Sequence, residues 1–322
     1  MGGKPKTTDL LLDSVSAAAN RDATLVSQKL EFILQKHDAC LDTLLSRQQL
    51  DPAACQQLKH GIRNDVKDIQ DILKTVSLMK WKADRISELV SGYGETWSAQ
   101  ILNELLMERE KIRGSNNDSG NDNDNNIGNK DKGHHQRHCF RYLDARRVIT
   151  IDEDAIKDGA VCWDISKSKL MDVYEEEYKA SEKESNTIMH FVITGFVASN
   201  TDGVATTLQR DGSDYSAAII GRLLEACNIT IWTDVDGVLS ADPRRVPDSY
   251  ILPEVSFNEA MELAYFGAKV IHPKTVSETM ICWYSVSVCI IDHSVVSCLL
   301  NLACWAFRCN LLSWDTRKSQ FT

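Results

Sequence analysis

Two almost unbroken apolar runs, residues 189–198 and 229–233, bracket an amphipathic stretch over 213–226. A strand buried on both faces of a parallel sheet carries such a run, because neither face meets water. Between the runs, Ala218, Ile219 and Leu223 recur at helical spacing. Strand, helix and strand in that order predict an α/β fold with ligands at the carboxyl ends of the strands.

The loop ahead of that helix reads Thr-Leu-Gln-Arg-Asp-Gly-Ser-Asp-Tyr-Ser-Ala-Ala over 207–218. A helix N-terminus behind a loop offers N–H groups and a dipole to an anion. Ser213 or Asp214 is the expected cap. The Arg210 guanidinium can grip a carboxylate through two parallel hydrogen bonds. After the second apolar run, Trp-Thr-Asp-Val-Asp-Gly-Val-Leu-Ser-Ala-Asp-Pro-Arg over 232–244 closes a turn-rich segment. Taken singly, Asp234 and Asp242 read as turn residues, and Arg244 and Lys269 as solvated charges.

With Phe-Gly-Ala-Lys-Val-Ile-His-Pro at 266–273, these segments resemble three consecutive signatures of the aspartate kinases. The nearest likeness is to the kinase half of the bifunctional aspartate kinase–homoserine dehydrogenases. The similarity runs from about residue 1 to 275 and is densest from 191 to 273. It implies an amino-acid-kinase-like fold, a three-layer αβα sandwich with a mostly parallel sheet. It also implies transfer of the ATP γ-phosphoryl group to the side-chain carboxylate of L-aspartate, the step that opens lysine, threonine, methionine and isoleucine synthesis. ATP is then a co-substrate, and Mg2+ bridges its phosphates.

Residue roles follow from the same resemblance. Arg210 holds the substrate's α-carboxylate and Ser213 helps orient it. Thr8, in Lys-Thr-Thr-Asp at 6–9, matches a threonine at the substrate. Glu95, after Gly92 and Gly94, matches an acid near the substrate's amino group; read alone, it is an acidic residue in a first helical turn. Asp214 orients cationic groups or the metal shell. Thr233, Asp234 and Arg244 match the nucleotide segment, and Lys269 matches a lysine near the phosphates. Asp214 and Lys269 are the expected catalytic pair. The acceptor is already an anion, so positioning and charge neutralisation carry the chemistry rather than a strong base.

Two other readings stand beside this one. The chain could phosphorylate another acidic amino acid, or it could be an impaired fragment or a non-catalytic binding or regulatory paralogue. Gln209 stands where the family has glycine, and Leu239 replaces an aromatic. The family's opening strand with its Lys-Phe-Gly-Gly-Thr loop is not matched. The expectation is therefore a chain shortened at both ends, with little turnover.

Along the chain, 1–113 reads as the helical part of the kinase domain. Apolar stripes run through Leu10, Leu11, Leu12, Val15 and Ala18, then Val26, Leu30 and Ile33, then Leu73, Val76 and Met79. Residues 114–138 form a low-complexity insert whose one apolar residue is Ile127, so it reads as disordered. His134, His135 and His138 read as incidental there, and no protein metal ligands are assigned. Residues 139–275 form the nucleotide- and substrate-binding part, with a strand near 147–151 and a charged helix over 165–186. Residues 276–322 form an atypical apolar tail set outside the family fold, its apolar pieces each too short for a membrane span.

Apolar residues at 43% and charged residues at 25% fit a globular chain. A net charge of −10 argues against a nucleic-acid groove and an anionic membrane surface. The partners implied are L-aspartate, ATP and further copies of the chain. The ten cysteines form no Cys-x-x-Cys pair and read as reduced thiols. No targeting segment is read at the start, and the resemblance implies a cytoplasmic or plastid enzyme.

Overall fold

The computed structural model describes residues 5–79, 84–118, 137–152, 160–181, 187–208, 212–226, 228–233, 238–241, 246–265 and 285–290. Five helices come first: α1 Thr7–Ala19, α2 Ala23–Ser46, α3 Pro52–Met79, α4 Asp84–Ser91 and α5 Tyr93–Asp118. Their starts follow from local chemistry. Asp22 caps α2 by accepting from the Leu25 N–H at 2.9 Å. Asp51 accepts from the N–H groups of Ala53 and Ala54, and Pro52 fills the first helical position, where no N–H is needed. The apolar stripes meet in one core around Leu11, Ile33, Leu41, Ile69, Leu73 and Trp97. Two stripe residues differ from the expectation. Leu12 is exposed because three consecutive leucines, each turned about 100° from the last, cannot share one face. Met79 is exposed at the last residue of α3.

The second half is α/β. Strand β1 (Arg137–Leu143) leads through a 3-10 turn at Ala145–Arg147 to β2 (Thr150–Asp152), β3 (Ala160–Val161) and α6 (Trp163–Ser181). Then come β4 (Thr187–Ile193), β5 (Val197–Asn200), β6 (Ala205–Thr207), α7 (Gly212–Leu223), β7 (Asn228–Thr233), α8 (Phe257–Tyr265) and β8 (Ser285–Ile290). Strands β1 and β4 pair in parallel from Arg137↔Thr187 to Leu143↔Ile193. Both chains then break step and resume as the parallel pair β2–β5. Strands β3 and β6 flank that pair antiparallel, in the order β3-β2-β5-β6.

Neighbouring residues of β4 face different layers. Val192 joins Ala99 and Leu102 of α5. Ile193 joins Leu170 and Val173 of α6 and Ile219 and Ile220 of α7. Helices thus cover both faces of the sheet, as the alternation of strand side chains requires.

Three expectations are corrected here. The run 189–198 is not one strand: β4 ends at Ile193 and β5 begins at Val197, with Phe196 between them at φ 71°. Nor is β4 buried on both faces throughout, since its first three residues are half-buried. The strand expected near 147–151 is a 3-10 turn followed by β2. Asp144 accepts from the Arg146 N–H at 3.0 Å and starts that turn.

Around the low-complexity stretch, α5 runs to Asp118 and β1 starts at Arg137, while 119–136 lie outside the described residues. The charged helix is α6, and 182–186 lie outside the described residues. Within the apolar tail, Ser285–Ile290 forms β8, which pairs in parallel with β7 from Asn228↔Ser285 to Thr233↔Ile290. No helix among the described residues is long and apolar enough to cross a membrane.

Candidate functional site

Two helix starts, those of α1 and α5, meet at the seam between the helical half and the sheet, and α7 is tied to the strand beside them. Helix α1 begins behind Lys6, whose backbone is extended and whose side chain makes no capping hydrogen bond. Thr8 lies half-buried in its first turn. Helix α5 begins beside it. A Cβ on Gly94 would stand 3.4 Å from Thr7 Cγ2, so glycine allows the two first turns to approach closely. Gly92 meets the sheet: a Cβ there would stand 2.6 Å from Val197 Cγ1. One residue before Val197, the Phe196 N–H donates to Ser216 Oγ at 2.8 Å, in the second turn of α7. A further link is the Thr206 hydroxyl of β6, which donates to Glu88 of α4 at 3.1 Å.

Glu95 lies in the first turn of α5, half-buried. Loss of solvent pushes its carboxyl well above the usual carboxylate range. A carboxyl group held there gains from a cation brought against it, because the cation restores the charged form. Ser213 and Asp214 lie half-buried in the first turn of α7. That helix opens at Gly212, so both residues sit inside the first turn and neither is the cap, which corrects the expectation. Asp214 is the acidic residue of that turn and suits the positive end of the helix dipole.

The structure therefore sets the first turns of α1 and α5, with Thr8 and Glu95, side by side, and ties α7, which carries Ser213 and Asp214, to the strand that Gly92 packs on. Thr233 ends β7, at the carboxyl edge of the β7–β8 pair. Arg210, Asp234, Arg244 and Lys269, with Gln209, lie outside the described residues. Leu239 bridges antiparallel to Ile251, and the Leu252 N–H donates to the Val238 carbonyl at 2.8 Å, so the turn-rich segment folds back on itself. Among the described residues no group of three or more His, Cys, Asp or Glu side chains could hold a metal ion. Among the described residues, Cys40, Cys55, Cys139 and Cys162 form no disulfide.

Sequence reasoning passed over two supports of this seam. Ser216 was visible in the Ser-Asp-Tyr-Ser run, but nothing marked it as an acceptor for a strand N–H. The other lies beneath Glu95. Trp97 is fully buried, and its indole N–H donates to Asp65 Oδ2 of α3 at 2.7 Å.

The model of the amino acid kinase family matches residues 39–282. The chain belongs to the amino acid kinase family. Bifunctional aspartokinase/homoserine dehydrogenase 2, chloroplastic, from Arabidopsis thaliana is 33% identical over 277 residues, covering 85% of this chain and 25% of that protein. Aspartokinase 2, chloroplastic, from the same plant is 29% identical over 278 residues, covering 83% of this chain and 42% of its own length. This amino acid kinase chain thus spans between a quarter and somewhat under half of these relatives. Among solved structures, E. coli aspartokinase III in complex with aspartate and ADP superposes with a TM-score of 0.66 at 24% identity, covering 89% of this chain and 53% of that one. That likeness shows the amino acid kinase fold, as the resemblance implied.

Proposed function

We propose that this amino acid kinase chain carries aspartate kinase chemistry, transferring the ATP γ-phosphoryl group to the side-chain carboxylate of L-aspartate. The observation that carries the reading is Glu95, a desolvated carboxyl in the first turn of α5, set against the start of α1 and joined through Val197 and Phe196 to α7. An α-amino acid offers an ammonium for that carboxyl and a carboxylate for a helix N-terminus with an arginine in the loop ahead of it. Thr8 and Ser213 supply hydroxyls between these charges. The kinship with aspartokinases, one of them solved with aspartate and ADP, supports the choice of substrates.

The chemistry asks little of a base. The acceptor carboxylate attacks phosphorus, and the bond to the β-phosphate oxygen breaks. What opposes the reaction is bringing one anion to another. Arg210 neutralises the α-carboxylate, Lys269 and Arg244 oppose phosphate charge, and Thr233 and Asp234 line the nucleotide. Mg2+ supplies charge neutralisation of the phosphates when bound. Asp214 would orient cationic groups or the metal's shell.

The test is an ATP-dependent aspartyl-hydroxamate assay, with calorimetric titration of L-aspartate, L-glutamate and ATP. Binding of L-aspartate with low turnover is expected, because the family's Lys-Phe-Gly-Gly-Thr loop is not matched. Glutamate preferred over aspartate would move the substrate, and binding with no detectable turnover would make the chain a binding subunit. Arg210→Ala should weaken aspartate binding far more than ATP binding, and an equal loss for both would remove Arg210 from the substrate role. Glu95→Gln should cost roughly 1.5–3 kcal/mol of aspartate affinity, the range for a hydrogen bond to a charged group, with ATP affinity unchanged.

A further inference from the structure

The α5 start that carries Glu95 is held from behind by groups that no part of the reaction requires. Trp97, fully buried, lies two residues beyond Glu95. Two residues of α-helix turn roughly 200°, so Trp97 points away from the face that bears Glu95. Its indole N–H donates to Asp65 Oδ2 of α3 at 2.7 Å. Its ring also takes the edge of His37 from α2, with centroids 5.0 Å apart and an interplanar angle of 79°. Tyr93, the first residue of α5, packs on the same indole at 5.7 Å.

The Asp65 carboxyl is raised by loss of solvent and drawn back by the Trp97 hydrogen bond. Desolvation works against that acid, so it is stabilised by the indole donor and loses by its removal. In front, Gly94 sets the approach to Thr7 and Gly92 the approach to Val197. The helix start is thus fixed in translation by two glycine contacts. On the far side the buried Trp97 ring opposes rotation about the helix axis, and the one directional contact it makes there is the hydrogen bond to Asp65. A rotation of the α5 start would swing the Glu95 carboxyl along an arc.

We infer that the Asp65–Trp97 hydrogen bond is a positioning device that sets the Glu95 carboxyl for the ammonium group of an α-amino acid substrate. This rests on the aspartate reading above. Asp65 and Trp97 touch no substrate; they act through Glu95. Affinity for the amino acid should therefore depend on the bond, whereas affinity for the nucleotide should not.

The experiment is calorimetric titration of the full chain with L-aspartate in the presence of ADP, and separately with ADP alone, so that turnover is not needed. The variants are Asp65→Leu, Trp97→Phe, the double variant, and Asp65→Asn, which keeps an oxygen acceptor for the indole. Misplacing a charged group by a fraction of an ångström to one ångström costs about tenfold or more. Asp65→Leu and Trp97→Phe should each weaken aspartate binding about tenfold and leave ADP binding within about twofold. The double variant should lose no more than either single one, because both remove the same bond. Asp65→Asn should restore most of the affinity. Equal losses for aspartate and ADP, additive losses in the double variant, or unchanged aspartate binding would each overturn the inference. Absence of aspartate binding by the unaltered chain would instead overturn the function on which it rests.

Discussion

His37 shows what single residues contribute behind the site. Its Nδ1 faces the Ile33 carbonyl at 2.7 Å, one turn back along α2, and its ring is almost wholly buried against Trp97. Nδ1 is therefore the protonated nitrogen and Nε2 carries a lone pair. Burial lowers the pKa from 6.5 to about 4. The unfolded chain takes up a proton near pH 6.5 and the folded one only near 4, so stability falls as pH drops through that window. The full effect is on the order of 3 kcal/mol. Urea unfolding between pH 4 and 7 should show it, and His37→Phe should flatten the slope. A slope of equal size in the variant would remove His37 as its source. At this scale the motifs fixed only where the candidates fall on the fold: Glu95 lies in the first turn of α5, and Ser213 and Asp214 lie inside the first turn of α7 rather than at its cap. What composition could not reveal is that Glu95 is desolvated, that Thr7 packs on Gly94, or that an aspartate on α3 bonds an indole on α5. Those depend on which distant elements pack together.

Elements begin where their ends carry chemistry. Asp22, Asp51 and the Ser256–Glu259 pair each start a helix by satisfying N–H groups that would lack partners. In the last, Ser256 Oγ accepts from the Glu259 N–H at 3.3 Å while the Glu259 carboxylate accepts from the Ser256 N–H at 2.9 Å. Asp51→Ala should cost about 1 kcal/mol, and thermal unfolding should report a fall of roughly 2–4 °C. No change would mean that the N–H groups of Ala53 and Ala54 find other acceptors. The break between β4 and β5 was not legible. Hydrophobic periodicity sees only a run of apolar residues, whereas the break lies in Phe196 adopting a positive φ, which its residue type does not announce. The low-complexity stretch yields a prediction of its own. Residues 119–136 hold one apolar side chain, Ile127, and so offer little surface to bury. Replacing them with a short Gly-Ser bridge between Asp118 and Arg137 should leave the melting temperature within a few degrees, and a large loss would refute this.

At the scale of the whole molecule, one core lies among helices α1–α5 and another between the sheet and helices α6 and α7. The proposed site lies on the seam between them, so a ligand bound there would touch both. Among the described residues, that seam includes the Thr206–Glu88 hydrogen bond, the packing of α5 on β1 and β4, and Gly92 against Val197. The last is the tightest. A Cβ on Gly92 would stand 2.6 Å from Val197 Cγ1, and Val197 belongs to the buried core of the sheet half. Gly92→Ala must therefore push the α4–α5 junction off the sheet or force Val197 from its rotamer, at a cost of about 1–3 kcal/mol. If the clash is the cause, shortening its partner should relieve it. Val197→Ala alone leaves a cavity and destabilises. Combined with Gly92→Ala, it replaces the lost methyls with the new one, so the double variant should be more stable than the sum of the two singles by about 1 kcal/mol or more. Denaturant unfolding followed by far-ultraviolet circular dichroism would read all four proteins. Strict additivity would show that Gly92 is needed for its backbone and not for the approach of the two halves.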